Sequence, residues 1–260
     1  MKAHARLTAC FDGSRTVLRE LRSMAPLTLF PKRNTGRVAV VHLVNSATSP
    51  LGGDELLLTV HVGRGASLRL SGVAATLALP GLHGETSRST VDISVGAGGS
   101  LEYLPEPTVV TARAQHVAEL RCSLAADAYL HTREVLVLGR AGESPGSLMT
   151  SQDVVRDGVP VLRQTLTIGD STLDSSLAVL AGRRVLATDL VVGGPPLPAA
   201  SGDWWSRTPL AAGGTLITSL APDAVTALAA LSRESAASEV GAQPVHRHGA
   251  ADGDAQDVLQ

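Results

Sequence analysis

Aromatic side chains are nearly missing from this chain, with two Trp, two Tyr and two Phe among 260 residues. A core must therefore be assembled from Leu, Val and Ala, and a binding groove walled by aromatics gets little support. Lysine is as scarce, at Lys2 and Lys32, so the cations are arginines, and the formal net charge is only −2. No basic stripe interleaves with aromatics, so a nucleic-acid partner is not expected. There is no run of about 18 apolar residues, so no membrane-spanning helix is expected. Met1 to Phe11 lacks the apolar stretch of a secretory signal, which points to a cytoplasmic protein. Cysteine is limited to Cys10 and Cys122, far apart and each flanked by strand-like sequence. They read as buried free thiols in a reducing compartment rather than a disulfide.

Motifs for catalysis are also lacking. The G-x-x-x-x-G-K-[ST] phosphate loop is absent, and neither C-x-x-C nor H-E-x-x-H occurs, so nucleotide hydrolysis and a closed zinc site are not expected. Gly142-Glu143-Ser144-Pro145-Gly146 matches G-x-S-x-G, with Ser144 as nominal nucleophile. That motif needs a helix after the serine. Pro145, Gly146 and the polar Thr150–Asp153 stretch argue against one, so a Ser144 hydrolase is the weakest reading. The only histidines beyond it, His246 and His248, lie in a polar tail. The pair could capture Ni²⁺ or Cu²⁺ through ring nitrogens, although an incidental pair is the plainer reading.

What the sequence does have is a turn that occurs twice. Val62-Gly63-Arg64-Gly65-Ala66-Ser67-Leu68 returns as Val95-Gly96-Ala97-Gly98-Gly99-Ser100-Leu101, with a weaker echo over Leu124–Leu130 in which Asp127 takes a glycine's place. Alternating apolar residues lead into each copy, and paired glycines permit a tight reversal. A recurring strand–turn–strand unit predicts a layered, repetitive, all-β body rather than a helical enzyme. Strands are expected at Ser14–Leu21, Arg37–Val44, Glu55–Val62, around Val91–Val95, at Tyr129–Leu138, Val161–Ile168, Leu173–Leu180 and Arg184–Val192. Gly193–Pro209, with four prolines, reads as an irregular loop that carries Trp204 and Trp205. Pro222 and Asp223 open a short helix with Val225, Leu228 and Leu231 on one face, ending near Arg233. One domain is expected over residues 1–235, with residues 236–260 a disordered tail. Asp54, Glu102 and Glu106 are the most suggestive acids, either weak oxygen ligands for a divalent cation or solvated turn residues or backbone caps.

With these pieces in view, the chain resembles the urease accessory protein family UreD, also called UreH. The resemblance is carried in order by Ala25-Pro26-Leu27, Gly52-Gly53-Asp54-Glu55-Leu56, Gly65-Ala66, Ala74-Ala75-Thr76, Leu101-Glu102-Tyr103-Leu104-Pro105-Glu106-Pro107, Leu138-Gly139-Arg140, Gly142-Glu143 and Arg156-Asp157-Gly158. It is strong over Leu18–Ile168 and thinner elsewhere. It departs from the family pattern at Leu77, where a lysine is usual, and at Ser49-Pro50, where glycines are usual.

The resemblance implies a β-rich, helix-like wrap of strands and a non-enzymatic scaffold. Such a scaffold would bind apo-urease with UreF and the GTPase UreG and assist Ni²⁺ delivery, holding no tight cofactor of its own. It also implies an internal passage for Ni²⁺, in which Asp54, Glu102 and Glu106 become candidate transient ligands. Trp204, Trp205, Asp223 and Leu228 are the candidate partner contacts. Arg140 and Glu143 are expected to be a structural pair at a turn. The alternative outside this family is a β-rich binding module.

Overall fold

The computed structural model describes residues 1–33, 35–169 and 174–240. As expected, the fold is mainly β, in two face-to-face sheets through which the chain coils. The first sheet has the order β14 (Val159–Ile168), β13 (Ser147–Arg156), β11 (Gln115–Leu124), β8 (Ser87–Val95), β5 (Glu55–Val62), β1 (Lys2–Phe11) and β2 (Thr16–Arg22). The second has the order β16 (Ala200–Gly202), β17 (Trp205–Pro209), β18 (Thr215–Ala221), β15 (Val185–Val192), β12 (Tyr129–Leu138), β9 (Ser100–Leu104), β6 (Ser67–Gly72), β4 (Ala39–Asn45) and β3 (Leu27–Lys32). Short β7 (Thr76–Ala78) and β10 (Thr108–Val110) pair with each other, and β10 also pairs with β12. The central strands of both sheets are parallel, and antiparallel pairs close the ends.

The repeated turns are the stacked corners of this coil. Val62, Val95 and Leu124 are register neighbours in the first sheet. Ser67, Ser100 and Tyr129 are register neighbours in the second. Each corner bonds to the next, with Ser100 N donating to Ala66 O over 2.8 Å and Tyr129 N to Gly99 O over 2.9 Å. Gly65 and Gly98 take φ of +65° and +61°, where a side chain would be strained. At the third corner Asp127 replaces that glycine, and its carboxylate accepts from Gly98 N over 2.8 Å. The side-chain bond ties corner three to corner two.

Period-two burial follows from the pleat. Leu7, Leu58, Leu68, Leu70, Leu101 and Leu130 are fully buried between the sheets, with Ala5 and Ala9 filling where the layers approach. Cys10 and Cys122 are both free, Cys122 in this core and Cys10 half-buried. The outer face of the first sheet is a solvated ladder of paired charges, among them Arg88–Glu119, Arg121–Glu119 and Arg163–Asp153.

Three expectations need correction. The Leu173–Leu180 strand does not form over the described part of that segment, since residues 174–182 are turns. There Leu180 alone is buried while Leu177 is 89% exposed, so the alternation had no sheet to face. The Gly193–Pro209 loop contains the hairpin β16–β17, because its prolines fall between or at the ends of the strands. The helix, α1 (Ala224–Val240), runs past Arg233 to Val240, so its last turns take up the start of the segment read as a tail. Residues 241–260, including His246 and His248, lie outside the described residues. Ala227 and Leu231 of α1 are buried against Val135, Ala187 and Ile217 on the outer face of the second sheet.

Candidate functional site: a cavity with a slot in the second sheet

The second sheet is interrupted where the coils cross its middle. β6 stops at Gly72 and its coil resumes as β7 at Thr76, while β9 stops at Leu104 and resumes as β10 at Thr108. β12 spans both pieces, pairing with β9 through Tyr129–Thr132 and with β10 through Leu136–Leu138. Along that edge Arg133, Glu134 and Val135 have no partner strand among the described residues. A slot is the result. Gly72 permits its tightness, because a Cβ there would stand 2.5 Å from Glu106 N.

Behind the slot lies a cavity of about 170 Å³ between the sheets, well above the roughly 10–15 Å³ that one buried water requires. Leu58, Val91 and Leu120 give it apolar wall, and Tyr103, His116 and Glu134 give it polar wall. Glu106 and Arg133 line it at the slot.

Strand alternation explains which groups face inward. Thr132 and Leu136 of β12 are buried, so Glu134 between them points the same way. Its carboxylate accepts from Thr150 Oγ1 over 2.7 Å and from Gln152 Nε2 over 3.1 Å, both on β13 of the facing sheet. Burial pushes the Glu134 carboxyl above the usual range, and the two hydrogen bonds oppose it. On β11, His116 Nδ1 lies 2.8 Å from Ser87 Oγ. Burial pushes its imidazole down to about 4, against hydrogen bonding to the Ser87 backbone, so the ring is neutral at pH 7. Burial also pushes the Tyr103 phenol up. The interior wall is thus rich in neutral oxygen and nitrogen acceptors, and carboxylates bring the negative charge.

Arg133 points to the outer face. Its Nε and Nη2 donate to Oδ1 and Oδ2 of Asp189, both over 2.7 Å. Asp189 is fully buried and also accepts from Ser235 Oγ on α1 over 2.9 Å. Burial opposes its ionisation, but Arg133 and His131 outweigh burial and hold it at about 2.

The candidate residues fall in separate places. Glu106 lines the cavity. Glu102 lies on the outer face of the second sheet, bonded to Arg69. Asp54 is 4% exposed outside the cavity lining, bonded to the Met1 amine, Ser49 Oγ at 2.7 Å and Leu51 N at 2.9 Å. Among the described residues, no three His, Cys, Asp or Glu side chains are grouped closely enough to hold a metal. Trp204 is 45% exposed at the hairpin tip, with the Arg183 guanidinium 3.8 Å above its ring. Trp205 is half-buried across Gly202, where a Cβ would meet its Nε1 at 2.4 Å. Asp223 caps α1, accepting from Thr226 N over 2.8 Å, and Leu228 packs partly buried under the helix. Arg140 and Glu143 form the expected turn pair, with Nη2–Oε1 of 2.9 Å. Ser144 leads into strand β13 rather than a helix.

Sequence reasoning missed Glu134, His116 and Arg133. One signal was available: Arg133-Glu134 interrupts the otherwise regular strand Tyr129–Leu138 with adjacent charges, one for each face.

Comparison with known proteins places the chain in a family. A family model described as the UreD urease accessory protein matches residues 1–253. Urease accessory protein UreD 1 of Saccharopolyspora erythraea is 57% identical over 230 residues, covering 86% of this chain and 90% of its own. The chain belongs to the UreD family. Urease accessory protein UreD of Parafrankia is 40% identical, covering 86% of this chain and 84% of its own, and that of Streptomyces coelicolor is 36% identical, covering 86% and 92%. This family is one of accessory proteins. Among the described residues, no helix is long and apolar enough to cross a membrane.

Proposed function

We propose that this chain is a non-catalytic scaffold of urease maturation, acting in the cytoplasm with apo-urease, UreF and the GTPase UreG, and that its cavity passes Ni²⁺ as cargo. The slotted cavity carries this reading, because it is a partly polar space between the sheets of about 170 Å³, far more than one buried water requires, with carboxylates at the slot and inside. Glu106 at the slot and Glu134 inside supply scattered oxygen ligands, Gln152 and the neutral His116 add polar lining, and Thr150 braces Glu134 from behind. Ni²⁺ in transit must be held loosely enough to leave, which suits separated oxygens better than a thiolate site. The Cys122 thiol is packed into the core and its pKa is pushed up to about 12, so it offers no trap. In this reading Asp54 and Glu102 are structural.

The test is nickel-dependent activation of apo-urease by the purified complex containing a Glu106→Gln, Glu134→Gln variant. The expected result is a higher half-maximal Ni²⁺ concentration with the complex intact. An unchanged midpoint would sink the passage. The hairpin tip at Trp204 and the outer surface of α1 are the proposed contacts for UreF. Co-purification surviving a Trp204→Ala, Trp205→Ala variant would remove that assignment.

A further inference from the structure

We infer that Arg133 is the charge gate of the cavity, and that α1 sets it through Asp189. The inference rests on the cavity being a cation passage. Three ionisable groups face or flank the Arg133 guanidinium. Asp189 holds it in a two-pronged pair at 2.7 Å. His131 Nε2 lies 3.4 Å from the same carboxylate. Glu106 shares the slot with Arg133. Asp189 has no exposed surface, and a buried carboxylate needs its counter-charge and its hydrogen bonds together. One of those bonds comes from Ser235 Oγ, which belongs to α1. Among the described side chains of the helix, Ala227 and Leu231 are fully buried beneath it, with Ala224 and Leu228 partly so. Among the described residues, a second polar tie to the sheet runs from Arg207 Nη1 to Glu234 at 3.0 Å. Beyond Leu231, the described contacts that seat the helix are therefore the polar ones at Glu234 and Ser235.

Two electrostatic states follow. With α1 seated, Asp189 holds the Arg133 guanidinium to the outer face, and Glu106, only weakly coupled to Arg133, leaves net negative charge at the slot, attractive to a divalent cation. With α1 lifted, water reaches Asp189 and loosens the pair. Arg133 then faces Glu106 across the slot, cancels its charge and repels an arriving cation. A partner that presses on α1 would hold the gate open without touching the cavity.

The experiment is a Ni²⁺ titration of apo-urease activation by the purified complex, with hydrogen–deuterium exchange over Ala224–Val240 read in parallel. Asp189→Asn is expected to raise the half-maximal Ni²⁺ concentration on the order of tenfold with the plateau retained, the effect of one uncompensated charge in a partly screened site. The double variant Arg133→Gln, Asp189→Asn removes both charges and is expected to return the midpoint to within about twofold of wild type, a rescue for which general damage gives no reason. Ser235→Ala is expected to shift the midpoint the same way by a smaller factor and to speed exchange in α1. It carries the test alone should Asp189→Asn not fold. A midpoint unmoved by Asp189→Asn or by Ser235→Ala in folded protein, or unrescued in the double variant, overturns the gate. If Glu106→Gln and Glu134→Gln move the midpoint while Asp189→Asn does not, the passage stands and only the gate falls. If none moves it, both fall.

Discussion

Gln152 Nε2 on β13 donates to Glu134 Oε2 on β12 over 3.1 Å, so a polar bridge joins the two sheets through the cavity. Thr150 adds a second strut at 2.7 Å. The wall residue proposed to meet cargo is thus also a structural tie, and the two roles separate by pH and by substitution.

Glu134 carries a pKa raised by burial in the folded chain. The unfolded state therefore loses its proton first as pH rises. Stability from this group is full below about 4.5, the ordinary glutamate value, and is lost as pH rises toward the folded pKa. Glu134→Gln keeps an acceptor for Thr150 and carries no charge. It is expected to be as stable as wild type in acid and more stable at pH 8. Urea midpoints of both proteins at pH 5 and pH 8 check this, and a variant less stable at both would contradict it.

His116 has the opposite slope. Its folded pKa near 4 lies below the ordinary 6.5. The unfolded chain binds the proton first as pH falls, so stability is present above 6.5 and is lost between 6.5 and 4, by up to about 3 kcal/mol. His116→Asn should flatten this stretch of the pH–stability curve while costing stability at pH 7 through the volume it removes. Denaturation midpoints from pH 7 to pH 4.5 measure both effects.

The corners and the strands they join were legible because local chemistry determines them. Gly65, Gly98 and the alternating Leu56–Val62 need only near neighbours to be understood. Strand β1, unforeseen among Lys2–Phe11, depends on parallel pairing with β5, a contact between residues about fifty apart in sequence. The cavity was illegible for a similar reason. It arises from where β9 stops and β10 starts beside β12, so Glu134 is visible as an inward charge only once three coils are stacked. For Asp54 the Gly-Gly-Asp turn leaves solvent, a backbone cap and a cation as partners, and only the fold shows the carboxylate closed over with Leu51 N donating to it.

Trp204 sits at φ +67° in the two-residue tip of the β16–β17 hairpin, a conformation costly for a bulky residue. Trp204→Gly relieves that strain and loses the Arg183 stacking. The two effects, each about 1 kcal/mol, nearly cancel. The variant is expected to keep its unfolding midpoint and the hairpin's exchange protection while losing any partner contact made by the ring. A large destabilisation would instead make Trp204 a structural residue.

Asp54 is held by a cationic amine, a hydroxyl and a backbone amide, so its value is in folding. Burial opposes its ionisation, but Leu51 N, the Met1 amine and Ser49 Oγ outweigh burial and keep its pKa below the ordinary 3.8. The stability it contributes is present above that value and is lost as pH falls through the folded pKa. Asp54→Ala leaves the Ser49 and Leu51 donors without their acceptor, at a cost of about 1–3 kcal/mol at pH 7. Asp54→Asn is expected to cost less, because an amide oxygen still accepts one of those bonds. Asp54 is not itself a lining residue and touches the lining only through Ser49 and Leu51 beside Pro50, so the half-maximal Ni²⁺ concentration for urease activation should stay at the wild-type value in whatever folded fraction remains. Urea unfolding and the Ni²⁺ titration together decide the point. A shifted midpoint with unchanged stability would move Asp54 from the frame of the protein onto the path of the cargo.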